Sequence, residues 1–228
     1  MHSLREHFRV LGLGPGGSVL FDYFGHFRAP GTLSLQQQMA RNRRPDVLHL
    51  NFIEMAFDTV APAATLKAFR ARIDLAIFRT RQIYDQAGLG IARVKHALVE
   101  DAFAGGYPDI ETNGEADDLC SAFSVDNDGI DIFMVLTYAG AGGTTRLDGA
   151  CDKDGKSSGS VIPISQGDPE NTATAVAHEI GHYLGLDHSS DPNNLMFTKQ
   201  NQRQLTSDQI DTLLDHCTVT RLSTPTEA

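Results

Sequence analysis

The spacing of apolar residues predicts a small set of strands and helices. From Val47 to Phe57 the chain is almost continuously apolar, with Leu48, Leu50, Phe52 and Ile53, as expected of a buried strand. Pro62 is placed to open a helix. Leu66, Phe69, Ile73, Ala76, Ile77, Thr80 and Ile83 then recur at helical spacing, and Gly88 marks the stop. The other face of that helix carries Lys67, Arg70, Arg72, Arg79 and Arg81, which reads as a solvated basic surface. Ile91 to Val99, Ile130 to Tyr138 and Ser160 to Ile164 predict three further strands, and Thr172 to Leu184 a second helix. Near the end, Thr206 to Gln209 has the spacing of a capping box, with Leu205 and Ile210 as its hydrophobic staple. Ile210, Leu213, Leu214 and Cys217 share one apolar face of the helix that follows, which makes Cys217 a core thiol. Residues 1–46 hold a turn-rich patch (Gly12, Gly14, Pro15, Gly16, Gly17) between strand-like runs at Phe8–Leu11 and Val19–Tyr23. A pro-segment, an extra hairpin and a flexible arm all fit that segment. The order of elements predicts an α+β fold: a mixed sheet with packed helices, followed by a smaller, mostly irregular lobe.

Composition narrows the function. A chain of 228 residues with 41 % apolar content suits one globular domain, or one domain with a cleft between two lobes. Its net charge of −10 argues against nucleic-acid binding and against polybasic contact with anionic membranes. No apolar stretch is long enough to span a bilayer, and Met1 to Val10 do not form a secretory leader. The spacing of Cys120, Cys151 and Cys217 fits no cysteine-type zinc site. One disulfide at most can form. Cys120–Cys151 is the expected pair, with three reduced thiols as the alternative.

The chemistry concentrates in residues 178–188, HEIGHYLGLDH. His178 and His182 lie four apart on the second helix, one turn above each other on one face, so both can reach one ion. Gly185 allows the helix to end and the backbone to turn sharply, bringing His188 up as a third ligand. Three imidazoles with an open fourth position describe a catalytic zinc site rather than a closed structural one. Glu179 projects about 100° around the helix from His178, offset from the ligand face but within reach of a metal-bound water. Zinc lowers the pKa of such a water towards about 7, and Glu179 is the expected general base that takes its proton and passes it to the leaving amine.

HExxHxxGxxH followed shortly by a methionine resembles the metzincin metallopeptidases. Residues 188–197, HSSDPNNLMF, are similar to the matrixin (matrix metalloproteinase-like) branch through Ser189, Asp191-Pro192 and Leu195-Met196. The resemblance is good over about residues 172–217. It implies a twisted mixed sheet with two long helices in an upper lobe (47–185), and a smaller lower lobe (186–228) that ends in a helix. It implies a zinc endopeptidase that binds peptide or protein substrate extended along a sheet edge within residues 144–164. Met196 is expected in a tight turn beneath the metal, and Gly185 is the other structural residue expected near it. Phe197 and Thr198 begin the wall of the main specificity pocket, which runs on towards Gln204. The resemblance also leans towards a secreted enzyme, expected to act as a monomer.

The sequence departs from that pattern in three places. His96 is the only histidine between His49 and His178, so the second, structural zinc of matrixins is not expected. Thr198 stands where astacin-like enzymes carry an extra tyrosine ligand. No cysteine precedes position 120, so any inhibition by residues 1–46 must use another group, such as Asp22 or Asp46. Asp126, Asp128, Gly129 and Asp131 resemble part of a calcium loop but lack an acidic twelfth residue, so bound Ca2+ is a secondary expectation. Gly140, Gly142 and Gly143 read as a flexible connection. The alternative to an enzyme is a catalytically silent, metal-stabilised module that holds a peptide in the same cleft.

Overall fold

β2 (Asp46–Met55) is the apolar run the pattern marks as a strand, and it lies at the centre of the sheet. The computed structural model describes residues 8–10, 45–140, 142–153, 158–165, 167–199 and 202–221. The Gly12–Gly17 patch, the Val19–Tyr23 run and Asp22 lie outside the described residues. The main sheet runs β1 (Phe8–Val10), β3 (Leu89–Val99), β2, β5 (Ile130–Val135), β8 (Gly159–Pro163), β7 (Thr144–Thr145). β2, β3, β5 and β8 are parallel. β1 and β7 pair antiparallel at the two ends of the row. β9 (Thr220–Arg221) adds antiparallel to the start of β2. A separate two-stranded sheet joins β4 (Asp109–Ile110) and β6 (Thr137–Tyr138), so the predicted Ile130–Tyr138 strand is two strands in two sheets.

Helices cover both faces, and this is why β5 and β8 are buried at every position rather than at alternate ones. On one face α1 (Ala63–Tyr84) and α4 (Pro169–Tyr183) pack side by side. Ile73, Ile77, Val176 and Ile180 meet Leu50, Phe52, Ile132 and Ile162 there. On the other face lies α3 (Asn113–Phe123), preceded by the single-turn helix α2 (Asp101–Ala104). Leu119 and Phe123 join Ile53, Phe133 and Val161. The capped helix near the end is α5 (Ser207–Asp215), and both halves of its Thr206/Gln209 capping box are present.

The structure corrects several expectations. α4 begins at Pro169, three residues before Thr172, because Asp168 caps it by accepting from the Asn171 amide. The basic face of α1 is not simply solvated. Arg70 forks onto the buried Glu54, Arg79 onto Glu170, and Arg81 donates to the Ile91 carbonyl. The disulfide joins Cys151 to Cys217, with Cα atoms 5.8 Å apart, while Cys120 is the buried free thiol of α3. Cys217 falls beyond the end of α5 at an exposed turn, so the apolar periodicity that placed it in a core extended one turn too far. Asp46 ion-pairs with Arg221 at the sheet's margin, which engages the carboxylate considered above as an inhibitory group.

Candidate metal centre and cleft

α4 is fixed by packing before it presents any chemistry. Ala173, Val176, Ala177, Ile180 and Tyr183 are buried against the sheet and α1, which turns His178 and His182 to the opposite side. The helix ends in a two-bond reversal. The Gly185 amide donates to the His182 carbonyl at 3.0 Å, and the Leu186 amide reaches back to the Gly181 carbonyl at 2.9 Å. Gly185 has φ +90°, a value that side-chain-bearing residues resist. The reversed chain then delivers His188, whose Nε2 lies 3.2 Å from Nε2 of His182.

The first two histidines are aimed by backbone. His178 Nδ1–H donates to the Leu195 carbonyl and His182 Nδ1–H to the Leu186 carbonyl, both at 2.7 Å. Committing Nδ1 as donor leaves each Nε2 with a lone pair turned to a common point. One ligand atom from each of the three residues falls within a 4.8 Å group, and among the described residues this is the only such group of histidine, cysteine or carboxylate atoms. Tetrahedral zinc with nitrogens at about 2.0–2.1 Å needs ligand atoms about 3.3 Å apart, close to the observed His182–His188 separation. Burial pulls His178 below its ordinary pKa, and burial together with the adjacent His178 brings His182 down to about 4. Neutral imidazoles are the form that binds metal.

Beneath the histidines the chain folds from Ser189 to Met196. The Ser189 amide donates to the Met196 carbonyl and the Met196 amide to Asn194 Oδ1, each at 2.9 Å. Met196 is fully buried, and its Sδ lies 2.6 Å from where a Cβ on Gly181 would sit. The sulfur therefore presses on the helix backbone between the two ligand-bearing turns. On the far side, the Asp148 and Gly149 amides donate to the carbonyls of His182 and Tyr183, at 3.0 and 2.7 Å. The loop that the disulfide anchors thus also braces the end of the histidine helix.

Glu179 is 6 % exposed, and its Oε2 has no hydrogen-bond partner among the described residues. Burial pushes its carboxyl up to about 7, with the Thr145 hydroxyl pulling the other way. It opens, with the three histidines, onto a cleft of about 560 Å³. Gly142, Gly143, Thr144 and Thr145 form one rim, Thr174 and Ala175 part of the floor, and Leu195, Phe197, Thr198, Lys199 and Gln202 the opposite wall. The structure brings His178, Glu179, His182, His188, Phe197 and Thr198 to this cleft, while Gly185 and Met196 support it from behind. The sequence reading passed over Gly142 and Gly143 as a connection. Only β7 pairing onto β8 brings them beside Glu179, and no local signal marks that pairing. The acidic DNDGID turn is engaged by side chains of the chain itself. Lys153 and Asn51 bind the buried Asp131 carboxylate, and Arg93 and His49 pair with Asp128.

The description of the reprolysin-like metallo-peptidase family M12B matches residues 70–189, more than half of the chain and inclusive of all three histidines. The chain belongs to this family. It is a metzincin-type metallopeptidase family, and the chain's three-histidine cluster could hold a metal ion, consistent with a catalytic metal site of that family. The family is reprolysin-like, and the matrixin branch suggested by residues 188–197 is not what the match identifies. The fold is also similar to the crystal structure of metalloproteinase-II from Bacteroides fragilis, with a TM-score of 0.50 and 14 % identity. That alignment covers 82 % of this chain and 61 % of the other, so this chain spans about three-fifths of that protein. No curated protein matches it in sequence. No helix among the described residues is long and apolar enough to cross a membrane.

Proposed function

We propose that the chain is a zinc-dependent endopeptidase in which His178, His182 and His188 hold one zinc ion and Glu179 is the general base. The observation that carries this reading is Glu179, whose buried carboxyl has an Oε2 without a hydrogen-bond partner among the described residues, beside three clustered imidazoles of which His178 and His182 commit Nδ1 to backbone carbonyls. Leaving a carboxylate in that state is costly unless the reaction uses it. Bound at the histidines, zinc supplies Lewis acidity, polarising a carbonyl and lowering the pKa of a water towards about 7.

The rest is done by the chain's own groups. Glu179 Oε2 accepts a proton from the attacking water and returns it to the leaving amine. The antiparallel strand β7, at the end of the row of strands, offers unpaired backbone to an extended peptide, so the substrate lies as an added strand between β7 and the Phe197–Thr198 wall. Met196 and the Gly185 reversal hold the ligand helix rigid while this happens. Within the reprolysin-like family, the matrixin-like spelling of residues 188–197 is a feature of this wall and floor.

The test is hydrolysis of a mixed quenched-fluorescent peptide library by the wild type and by Glu179→Ala, both zinc-loaded. Turnover by the wild type alone supports the proposal. Zinc-loaded protein that binds peptides but cleaves none moves the reading to a silent peptide-binding module.

A further inference from the structure

The wall of the cleft opposite β7 is a loop whose two ends are held in different ways. Its inner end is Leu195. The Leu195 carbonyl accepts from His178 Nδ1, and its amide donates to the Gln204 carbonyl at 2.7 Å. Its outer end is Arg203. Arg203 Nη2 lies 2.9 Å from Glu170 Oε2, and the Arg203 carbonyl accepts from the Gln86 side chain at 2.7 Å. Glu170 is in turn forked by Arg79 of α1, at 2.8 and 2.6 Å. The carboxylate in the first turn of α4 is therefore shared by two guanidinium groups. One belongs to the scaffold and one to the wall, and Arg79 holds the carboxyl below its ordinary range.

Position, rather than stability, is what this triad provides. Its side chains are 23 %, 37 % and 41 % exposed for Arg79, Glu170 and Arg203, and ion pairs in that much water contribute little to global stability. Yet Glu170 lies one helical turn before Thr174 on α4, part of the cleft floor, and Arg203 directly follows Gln202 in the wall. Glu170 lies eight residues before His178 on the same helix, so its bond to Arg203 ties the residue that follows the wall to the start of α4, about two turns from the histidines. Arg79 fastens Glu170 to α1.

We propose that Arg203, held through Glu170 by Arg79, is the positioning residue that sets the size of side chain the cleft accepts. The inference rests on the peptidase reading for the direction in which substrate lies, but its test does not depend on turnover.

Peptide hydroxamates anchor on zinc, and a series in which the adjoining side chain grows from methyl to benzyl probes the cleft by calorimetry on the zinc-loaded full chain. The wild type is expected to discriminate across the series by about tenfold or more. Arg203→Ala should compress that range to about threefold or less, leave the methyl member's affinity within about twofold, and keep the zinc content. Glu170→Gln should give the same compression, and Arg203→Lys should restore part of the range. Hydrogen exchange over residues 195–199 and 202–204 should quicken in Arg203→Ala. A wild type that does not discriminate, an Arg203→Ala protein that keeps the full range, a uniform loss of affinity across the series, or unchanged exchange would each overturn the proposal. Parallel turnover assays keep the two readings apart, because a chain that binds and discriminates but cleaves nothing defeats only the peptidase reading.

Discussion

His178 and His182 each use their inner nitrogen on a backbone carbonyl, whereas His188 is exposed and is tied to the site mainly through the His182 side chain. A ligand held this way should be the easiest to lose without unfolding. His188→Ala is expected to weaken zinc binding at least about 100-fold while the far-UV spectrum stays native, measured by competition with a chromogenic chelator. A second residue-scale consequence concerns Asp74 of α1. It is buried, its Oδ1 lacks a partner among the described residues, and the charged group that acts on it is Glu54 of β2, itself forked by Arg70. Burial first, and Glu54 second, raise its pKa from 3.8 to about 8. The folded state therefore holds a proton that the unfolded state releases between those values, and stability from this group falls as pH rises through that window. Asp74→Asn should remove this slope. Its melting temperature relative to wild type should climb between about pH 5 and pH 9, by several degrees. A constant difference across that range would show that the carboxyl is already ionised in the fold.

Between elements, the contact that matters most is Met196 against Gly181. A Cβ at Gly181 would meet the sulfur at 2.6 Å, so Gly181→Ala forces the buried methionine side chain, the helix or the turn beneath it to move. The expected cost is about 1–3 kcal/mol of stability together with weaker zinc binding, read by denaturant unfolding and metal competition. Met196→Leu in the same background should recover little, because a leucine Cδ takes the place of the Sδ that the new Cβ meets. The motif helix and the central strands were readable because their constraints are local: spacing of apolar residues, a cap, a glycine that stops the helix. α3 was missed although Thr112 and Glu115 form a complete capping box and Ala116, Leu119, Cys120 and Phe123 keep helical spacing. Gly114, Asp117 and Asp118 dilute that signal with poor helix formers, and packing against Phe133 and Val161 overrides the propensity. The loop before β8 was unreadable for a different reason. Its place at the cleft rim depends on two residues of strand pairing, Thr144 and Thr145, that carry no pattern of their own.

At the scale of the whole molecule, metal and fold should be linked. Zinc bound by the native histidines and not by the unfolded chain stabilises the protein in proportion to the logarithm of its excess over Kd, about 4 kcal/mol at 1,000-fold. Stripping it with a chelator should lower the melting temperature, and re-adding zinc should restore it. A melt indifferent to chelation would count against tight binding at this site. The histidine cluster was visible in the sequence because its three members fall within eleven residues. The disulfide was not, because its partners are 66 residues apart and only the folded chain brings them together. Closing a loop of that length restricts the unfolded chain by about 4 kcal/mol on entropic grounds, so Cys217→Ser should melt well below the wild type. The same bond has a consequence for a protein of peptidase lineage that meets its own kind at high concentration. The stretch between Cys151 and Cys217 contains all three histidines, the methionine turn and the cleft wall. A single self-inflicted cut anywhere inside it leaves the two pieces fastened to each other. Damaged molecules would run as one band without reductant and as two with it, and nicking need not mean falling apart.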